Sequence, residues 1–213
     1  MYKLQKIKRY IENADFSSYL YLYPPMALWK NNRIETDLSN GWKRSLKKMP
    51  IVGLYIHIPF CKTKCLFCRY GSTELSNPKD ISLFLKYLKQ EIENYVSIFR
   101  GYRFSSFYVG GGSPSILTEA QLDQFFKTIY ENFQFEPDSQ LAFESNPDNL
   151  TLKKLLILKQ CGVNRLTLGV QSVDLKLTKM LNRSQTPQAI FSSYNMARKV
   201  GIPNINIDLM YGL

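Results

Sequence analysis

The chain has 213 residues, of which 45% are hydrophobic, 14% aromatic and 21% charged. This length and composition predict one main folded domain and exclude a disordered, collagen-like or low-complexity chain. Lys and Arg outnumber Asp and Glu by 28 to 17, and the resulting net charge of +11 suits RNA, anionic lipid or a small polyanionic substrate without choosing among them. No apolar run reaches the ~18 residues of a membrane span, and the lysine-rich start lacks the apolar stretch of a secretory signal. We therefore expect a cytoplasmic protein without a membrane span.

The predicted elements begin after an N-terminal extension, residues 1–50, in which aromatic residues and the Pro24-Pro25 pair follow no sustained period. We expect irregular structure in this extension. From residue 51 onward, apolar patterns typical of strands and helices alternate. The predicted strands cover residues 52–58, 106–109, 140–145, 164–169 and 204–209. The predicted helices cover residues 80–99, 152–160 and 186–200, and a further helix begins at the T-x-x-Q capping box of residues 118–121.

Strands that alternate with helices predict a parallel sheet with right-handed crossovers, either in a barrel or in an open doubly wound sheet. The predicted fold class is α/β, with about five βα units in a core of residues 51–213. In both architectures, functional residues lie at the carboxyl ends of the strands. No helix follows the last strand, so we expect a partial barrel, truncated at its C-terminal end, in which Ile205, Ile207 and Leu209 are poorly covered.

Three of the four cysteines, Cys61, Cys65 and Cys68, form a C-x3-C-x2-C pattern directly after the first predicted strand. Three thiolates can hold three irons of a [4Fe–4S] cluster and leave the fourth iron open. The alternative is structural zinc, which normally has four protein ligands, and His57, the one histidine of the chain, is the nearest fourth candidate. Cys161 lies far away at the end of a predicted helix, where we expect a small buried hydrophobic residue.

Two further features lie at predicted strand ends. The consecutive glycines Gly110, Gly111 and Gly112 follow the second strand, where the lack of a Cβ allows close approach of a ligand. A tight turn explains one glycine better than three. The carboxylates Glu144 and Asp208 lie at the ends of the third and fifth strands, either in a site or as solvated surface charges.

Seven segments carry a resemblance to a known family. Residues 54–68 read LYIHIPFCKTKCLFC, and they are followed by VGGGSPS at 109–115, ESNP at 144–147, GVNRL at 162–166, GVQS at 169–172, NR at 182–183 and DLMYGL at 208–213. In this order the segments resemble the radical S-adenosylmethionine (SAM) superfamily, in the branch of oxygen-independent coproporphyrinogen III oxidase. The resemblance implies a partial barrel of the radical SAM type. It also implies a [4Fe–4S] cluster that donates an electron to SAM, so that methionine is released and a 5′-deoxyadenosyl radical takes hydrogen from a substrate.

The same resemblance implies a role for each site residue. Cys61, Cys65 and Cys68 would bind the cluster. Tyr55, Gly111 and Glu144 would hold the SAM at the cluster, with Tyr55 and Glu144 as the predicted catalytic residues. Further residues correspond to positions that line a second, adjacent SAM in the oxidase: Phe67, Gly112, Ser113, Gln171, Arg183 and Asp208.

Two members of this branch remain open. Tyr70 stands where the oxidase has a fourth cysteine, as in the related haem chaperones, and residues 114–115 and 146–148 also resemble the chaperones. In contrast, the Tyr23-Pro24-Pro25 segment of the extension resembles the oxidase. Residues 182–185 resemble it as well, because they lack the histidine of the chaperones.

The first functional hypothesis is an oxidoreductase of porphyrin biosynthesis. Such an enzyme takes a β-hydrogen from a propionate of a porphyrinogen-like tetrapyrrole, so that carbon dioxide leaves and a vinyl group remains. This hypothesis predicts a tetrapyrrole substrate, an electron donor for the cluster and no nucleic-acid partner. The alternative is a haem-binding chaperone that keeps the cluster and SAM site without oxidase activity. A basic zinc protein that binds RNA would explain neither the glycines nor the strand-end carboxylates.

Overall fold

Parallel strand pairing organises the chain in its computed structural model, which describes residues 35–48 and 52–212. The chain divides into two compact units, Met1–Leu38 and Ser39–Leu213. Of the first unit, residues 35–38 are described, and they are helical. The predicted extension up to residue 34 lies outside the described residues. The boundary between this extension and the core, placed at residue 50 from the sequence, stays a prediction.

The described elements alternate between helix and strand. The helices are α1 (Glu35–Lys48), α2 (Lys79–Phe99), α3 (Glu119–Asn132), α4 (Leu152–Gln160), α5 (Leu175–Met180) and α6 (Pro187–Val200). The strands are β1 (Val52–Ile58), β2 (Phe60–Cys61), β3 (Thr73–Glu74), β4 (Arg103–Gly111), β5 (Gln134–Ser145), β6 (Arg165–Gln171) and β7 (Asn204–Leu209). Short 3₁₀ turns, Pro114–Ile116 and Pro147–Asn149, follow β4 and β5.

Five strands form one sheet in the order β1-β4-β5-β6-β7, and every neighbouring pair is parallel. The predicted α/β class with five βα units is therefore confirmed. In the part of the chain that the structure describes, β1 and β7 are the edges of this sheet, so the sheet does not close into a barrel. Since all five strands run in one direction, their carboxyl ends meet at one edge.

Alternate residues of each strand face the helices and form the core. Ile56, Val109, Phe143 and Leu168 are at most 5% exposed and belong to one hydrophobic cluster. The helices contribute further buried members to the same cluster, among them Ile81, Leu122, Phe125, Leu155 and Ile190. The residues between these core positions, on the opposite face, include the polar side chains that form the site.

Local signals explain where the helices begin. Thr118 accepts a hydrogen bond from the Gln121 backbone, and the Gln121 side chain accepts one from the Thr118 backbone. The predicted capping box is therefore confirmed. Thr151 and Thr186 cap α4 and α6 in the same way through their side chains. These caps satisfy backbone N–H groups that have no partner within the helix.

The structure differs from the sequence-based expectations at α1. Residues 1–50 were expected to be irregular, but Glu35–Lys48 form a helix. Apolar residues are few here and Gly41 lowers the helix propensity, although Leu38, Trp42 and Leu46 recur at the spacing of one helix face. Tertiary packing supports the helix, since the ring of Trp42 lies 5.5 Å from that of Tyr95 and 5.7 Å from that of Phe99.

Strand β5 begins at Gln134, six residues before the predicted start at residue 140. Pro137 conceals this extension in the sequence, because proline is rare inside a central strand. The register between β4 and β5 is irregular at this point: Phe104 pairs with Phe135, and Ser106 already pairs with Gln140. Such a bulge accommodates the proline while Phe135 still packs against the core.

The edge strand β7 is covered unevenly. Ile205 packs against the core, whereas Ile207 and Leu209 are 43% and 69% exposed. The expectation of poor coverage is thus confirmed for Ile207 and Leu209, whereas Ile205 is partly buried. No helix among the described residues is both long enough and apolar enough to cross a membrane.

A buried lysine joins the two loops that follow β4 and β5. Lys154 is 9% exposed, and its Nζ donates to the carbonyl oxygens of Ser115 at 2.7 Å and Asn149 at 3.0 Å. Burial lowers the pKa of this ammonium group. Ser115 also accepts a hydrogen bond from the Asn146 backbone at 3.0 Å. These contacts hold the strand-end loops in a common arrangement.

Replacing Lys154 with Met is expected to lower the free energy of unfolding by about 1–3 kcal/mol, because two buried carbonyls would lose their donor. Urea denaturation measures the change. Lys153→Met is the matched control: the adjacent Lys153 is exposed, and its replacement should change stability by less than ~0.5 kcal/mol. Equal effects of the two substitutions would contradict the proposed role of Lys154.

Candidate functional site

The three clustered cysteines lie on one closed loop at the carboxyl end of β1. The loop begins at β2 and ends at β3, and these two short strands pair in parallel. Backbone hydrogen bonds from Thr73 to Pro59 and from Leu75 to Cys61, both 2.8 Å, close its base. We call residues 61–72 the cysteine loop. Its short span keeps Cys61, Cys65 and Cys68 within a single structural unit.

The glycine segment after β4 packs directly against this loop. The backbone N–H of Gly112 donates to Ile58 O at 2.8 Å, and that of Ser113 donates to Phe60 O at 2.9 Å. A Cβ added to Gly112 would lie 2.6 Å from Phe60 O and 2.9 Å from the Sγ of Cys61. The glycine run was predicted to admit a ligand. In the structure, Gly112 contacts the protein's own cysteine loop and also lines the cavity beside it, so contact with a ligand stays a prediction.

Glu144, at the end of β5, is held by two donors on β4. Its Oε1 accepts a hydrogen bond of 2.5 Å from the Tyr108 hydroxyl, and its Oε2 accepts one of 3.2 Å from the Gly111 backbone. Gly111 has a φ of 117°, a conformation that favours glycine. Burial, together with the bond to Glu144, raises the pKa of Tyr108 far above its usual range. Tyr108 therefore stays protonated and acts as a donor.

All the predicted site residues except Tyr55 line a single cavity. This cavity lies beside the cysteine loop and is bounded by the carboxyl ends of β4, β5, β6 and β7. The predicted residues on its wall are Cys61, Cys65, Phe67, Cys68, Gly111, Gly112, Ser113, Glu144, Gln171, Arg183 and Asp208. Side chains from segments as far apart as residues 61 and 208 thus face the same space.

Arg183 and Asp208 contribute the charged groups that the loops and strands after β5 add to this cavity. Arg183 is half-buried, and its Nη2 donates to the Asn146 side chain at 3.0 Å and to the Gly169 carbonyl. Asp208 is exposed and pairs in register with Gly169, and its Oδ1 accepts a 3.0 Å hydrogen bond from Asn206. The cavity wall therefore includes the cationic guanidinium of Arg183 and the anionic carboxylate of Asp208, and both side chains come from segments that contact Gly169 of β6.

Tyr55 lies apart from this cavity. Its hydroxyl donates to Nδ1 of His57 at 2.8 Å, and its ring lies 5.9 Å from that of Tyr108. Nε2 of His57 donates to the carbonyl of Gly71 at 2.8 Å, so that carbonyl sets the tautomer of the imidazole. His57 was considered in the sequence as a zinc ligand. In the structure it connects β1 to the cysteine loop.

The three thiols of the cysteine loop are the candidate ligands of an iron–sulfur cluster. All four cysteines are free, and the three in the loop share the cavity wall. Within the described ranges, no three His, Cys, Asp or Glu side chains converge to hold a single metal ion. A cubane cluster does not require such convergence, because each thiolate binds a different iron. The donor set and the Gly112 contact are thus compatible with a [4Fe–4S] cluster on this loop.

Cys161 lies at the opposite end of the sheet, between α4 and the amino end of β6. It is half-buried and packs against the core, slightly more exposed than the predicted buried position. Burial, with a smaller effect of Asp123, raises the pKa of its thiol to about 11. This cysteine does not line the cavity of the other three.

Sequence reasoning missed Asn146, which lines the cavity, and Tyr108 and Ser115, which support it from behind. Tyr108 lies two positions before Gly110 on β4 and therefore faces the same side of the sheet as the glycine. That alternation is the signal that identifies it. The contacts of Asn146 and Ser115 join loops about 30 residues apart, and no local pattern indicates them.

A second, larger cavity of about 530 Å³ lies between α1, β1 and α2. Its wall is mostly apolar, with Trp42, Leu88 and Phe99 among its members, and Glu91 is the one carboxylate among the described residues that line it. Tyr55 is the only predicted site residue that lines it. Its size alone does not make it the functional site, because it lacks the thiols and the strand-end carboxylates.

Comparison with known proteins identifies the family. Residues 55–213 match the radical SAM superfamily. The oxygen-independent coproporphyrinogen III oxidase of Escherichia coli is 37% identical over 162 residues, which is 76% of this chain and 35% of that protein. The haem chaperone HemW of Bacillus subtilis is 36% identical over 160 residues, which is 75% of this chain and 42% of that protein.

A solved structure agrees with these relatives. Coproporphyrinogen III oxidase (HemN) from Escherichia coli superposes with a TM-score of 0.76 at 34% identity, over 82% of this chain and 41% of the other. The chain thus spans between a third and a half of the length of these relatives. The match extends over the five-stranded sheet, the cysteine loop and the cavity that they form, and the chain belongs to the radical SAM superfamily.

Proposed function

We propose that this chain is the cofactor-binding part of a radical SAM oxidoreductase that acts on a porphyrinogen-like tetrapyrrole. One observation carries the proposal: three free thiols, a glycine-lined loop and charged strand-end side chains share one cavity. Cys61, Cys65 and Cys68 would hold a [4Fe–4S] cluster. When bound, the cluster supplies the electron that cleaves SAM into methionine and a radical able to take hydrogen from a substrate.

The residues of the cavity can orient the amino-acid part of SAM. The carboxylate of Glu144 can accept from an ammonium group, and Tyr108 and Gly111 keep it fixed. Arg183 can donate to a carboxylate, and Asp208 can accept from hydroxyl groups. Phe67 and Gln171 would border the same space, with Tyr55 acting through its contacts with His57 and Tyr108. The positions of these side chains around the cysteine loop support their proposed roles in SAM binding.

The substrate proposal rests on the relatives and on charge. Coproporphyrinogen carries four carboxylates, and a net charge of +11 favours encounter with such an anion. In the proposed reaction, a hydrogen atom leaves the β-carbon of a propionate, carbon dioxide leaves, and a vinyl group forms. One electron remains after these steps, and an external acceptor must take it. A separate electron donor is needed to reduce the cluster.

A haem chaperone of the same family is the second candidate. Tyr70 favours it, because this residue is 73% exposed on the cysteine loop at the position where the oxidase has a fourth cysteine. The 36% identity to HemW is similar to the 37% identity to the oxidase. Both candidates require the same cluster and the same SAM site, so they differ in the tetrapyrrole that they bind and in its fate.

Anaerobic incubation of the reconstituted chain with SAM, a reductant and coproporphyrinogen III distinguishes the two candidates. The oxidase proposal predicts formation of vinyl groups and carbon dioxide together with methionine and 5′-deoxyadenosine. Cys65→Ala serves as the cluster-free control. Stoichiometric haem binding without decarboxylation would favour the chaperone, and absence of both decarboxylation and haem binding would contradict both candidates.

Replacing Cys65 with Ala is expected to abolish cluster binding, because one of the three thiolates that hold the irons is removed. Iron and acid-labile sulfide analysis after anaerobic reconstitution measures the loss. Cys161→Ala is the control and should keep the full iron content, since this thiol lies at the other end of the sheet. A Cys65→Ala protein with a complete cluster would overturn the ligand assignment.

Replacing Glu144 with Gln is expected to weaken SAM binding by about tenfold or more, because a charge-assisted hydrogen bond contributes roughly 1.5–3 kcal/mol. Equilibrium dialysis of the reconstituted protein measures the dissociation constant. Glu131→Gln is the control, since Glu131 is an exposed residue of α3 that pairs with Lys127. Tyr108→Phe keeps the Glu144 charge and should cause a smaller loss. Unchanged SAM binding in Glu144→Gln would contradict the proposed role.

A further inference from the structure

Three consecutive residues after α5 contact three consecutive residues of the cysteine loop. The Leu66 backbone N–H donates to Leu181 O at 3.2 Å, and the Asn182 side chain donates to Lys64 O at 2.9 Å. Between them, Nη1 of Arg183 donates to Sγ of Cys65 at 3.3 Å. Asn182 has a φ of 59° and ends α5 in a left-handed cap, in which the Arg183 N–H donates to Thr178 O at 2.9 Å.

The remaining donors of Arg183 have neutral partners. Its Nε donates to the Gln185 side chain at 3.0 Å, and its Nη2 donates to Asn146 and to the Gly169 carbonyl. Gln185 is 3% exposed and donates in turn to the Val170 carbonyl. A buried side chain that is itself hydrogen-bonded to β6 therefore fixes the position of the guanidinium. Among the residues that the structure describes, no carboxylate forms an ion pair with Arg183. Its positive charge is therefore available to the cysteine sulfur.

A guanidinium beside a cluster ligand has a predictable effect. Cysteine ligands bind iron as thiolates, and a hydrogen bond to a ligand sulfur is among the factors that set the reduction potential of a cluster. Reduction by one electron adds a negative charge to the cluster. A nearby positive charge stabilises the reduced form more than the oxidised form, and partial burial strengthens this effect.

We propose that Arg183 is a positioning residue that holds Cys65 through its sulfur and raises the reduction potential of the cluster. This role is separate from the contact with a second SAM that the sequence motif implies, although both can operate in one protein. The proposal rests on the proposed function, since it requires a cluster on the cysteine loop.

Redox titration of the reconstituted chain, followed by electron paramagnetic resonance without SAM, tests the proposal. Arg183→Met should keep its iron and sulfide content. Its midpoint should become more negative by an amount equivalent to about a tenfold change in the reduction equilibrium, ~59 mV for one electron. Arg183→Lys keeps the positive charge but not the planar guanidinium with its several N–H donors, so its midpoint potential should shift less than that of Arg183→Met. Arg103→Met is the control, because it removes the same charge at the amino end of β4.

The outcomes separate this proposal from the proposed function. A wild-type chain that assembles no cluster would refute the proposed function. A wild-type chain with a cluster, together with an unchanged midpoint in Arg183→Met, would overturn the role of Arg183 alone. Loss of the cluster from all the Arg183 variants would also overturn it, because the residue would then be needed for assembly rather than for the potential.

Discussion

The close contact between the Gly112 backbone and the cysteine loop determines the geometry of the whole site. Hydrogen bonds from Gly112 and Ser113 to Ile58 and Phe60 join the end of β4 to the start of the loop. The Cys61 sulfur lies 2.9 Å from the point where a side chain at position 112 would begin, so a Cβ there would be too close. This contact holds the thiols above the carboxyl ends of the strands, so that they share a cavity with Glu144 and Arg183.

The charged groups of the cavity are fixed before any cofactor binds. Glu144 accepts hydrogen bonds from Tyr108 and Gly111, and Arg183 is held by Asn146 and Gln185. Fixed donors and acceptors need little reorganisation when they meet a charged ligand, which favours binding in one orientation. The buried Lys154 extends this order to the loops behind the site, since it joins the segments that follow β4 and β5.

Most of the fold follows from local patterns. The bounds of β1 and β7 agree with the apolar runs that predict them, and the Thr118 capping box marks the start of α3. The sequence pattern did not predict two elements whose stability depends on tertiary packing. Helix α1 has few apolar residues and is supported by Trp42, and β5 continues past Pro137 because a bulge absorbs the proline. In both cases the stabilising contacts come from other segments of the chain.

By itself, the sequence determined the order of strands and helices, the cysteine spacing and the set of strand-end residues that face one cavity. These are properties of short segments, and the parallel direction of the strands is enough to bring their ends together. Only the tertiary structure decided that Tyr108 holds Glu144, that Tyr55 lies outside the cavity and that Arg183 reaches the sulfur of Cys65. Arg183 and Cys65 are separated by 118 positions, and their contact depends on the packing of loops against a common sheet. A periodic pattern along the chain does not predict the distance between two such segments. That distance depends on the register of the strands and on the volume of the side chains packed between the segments.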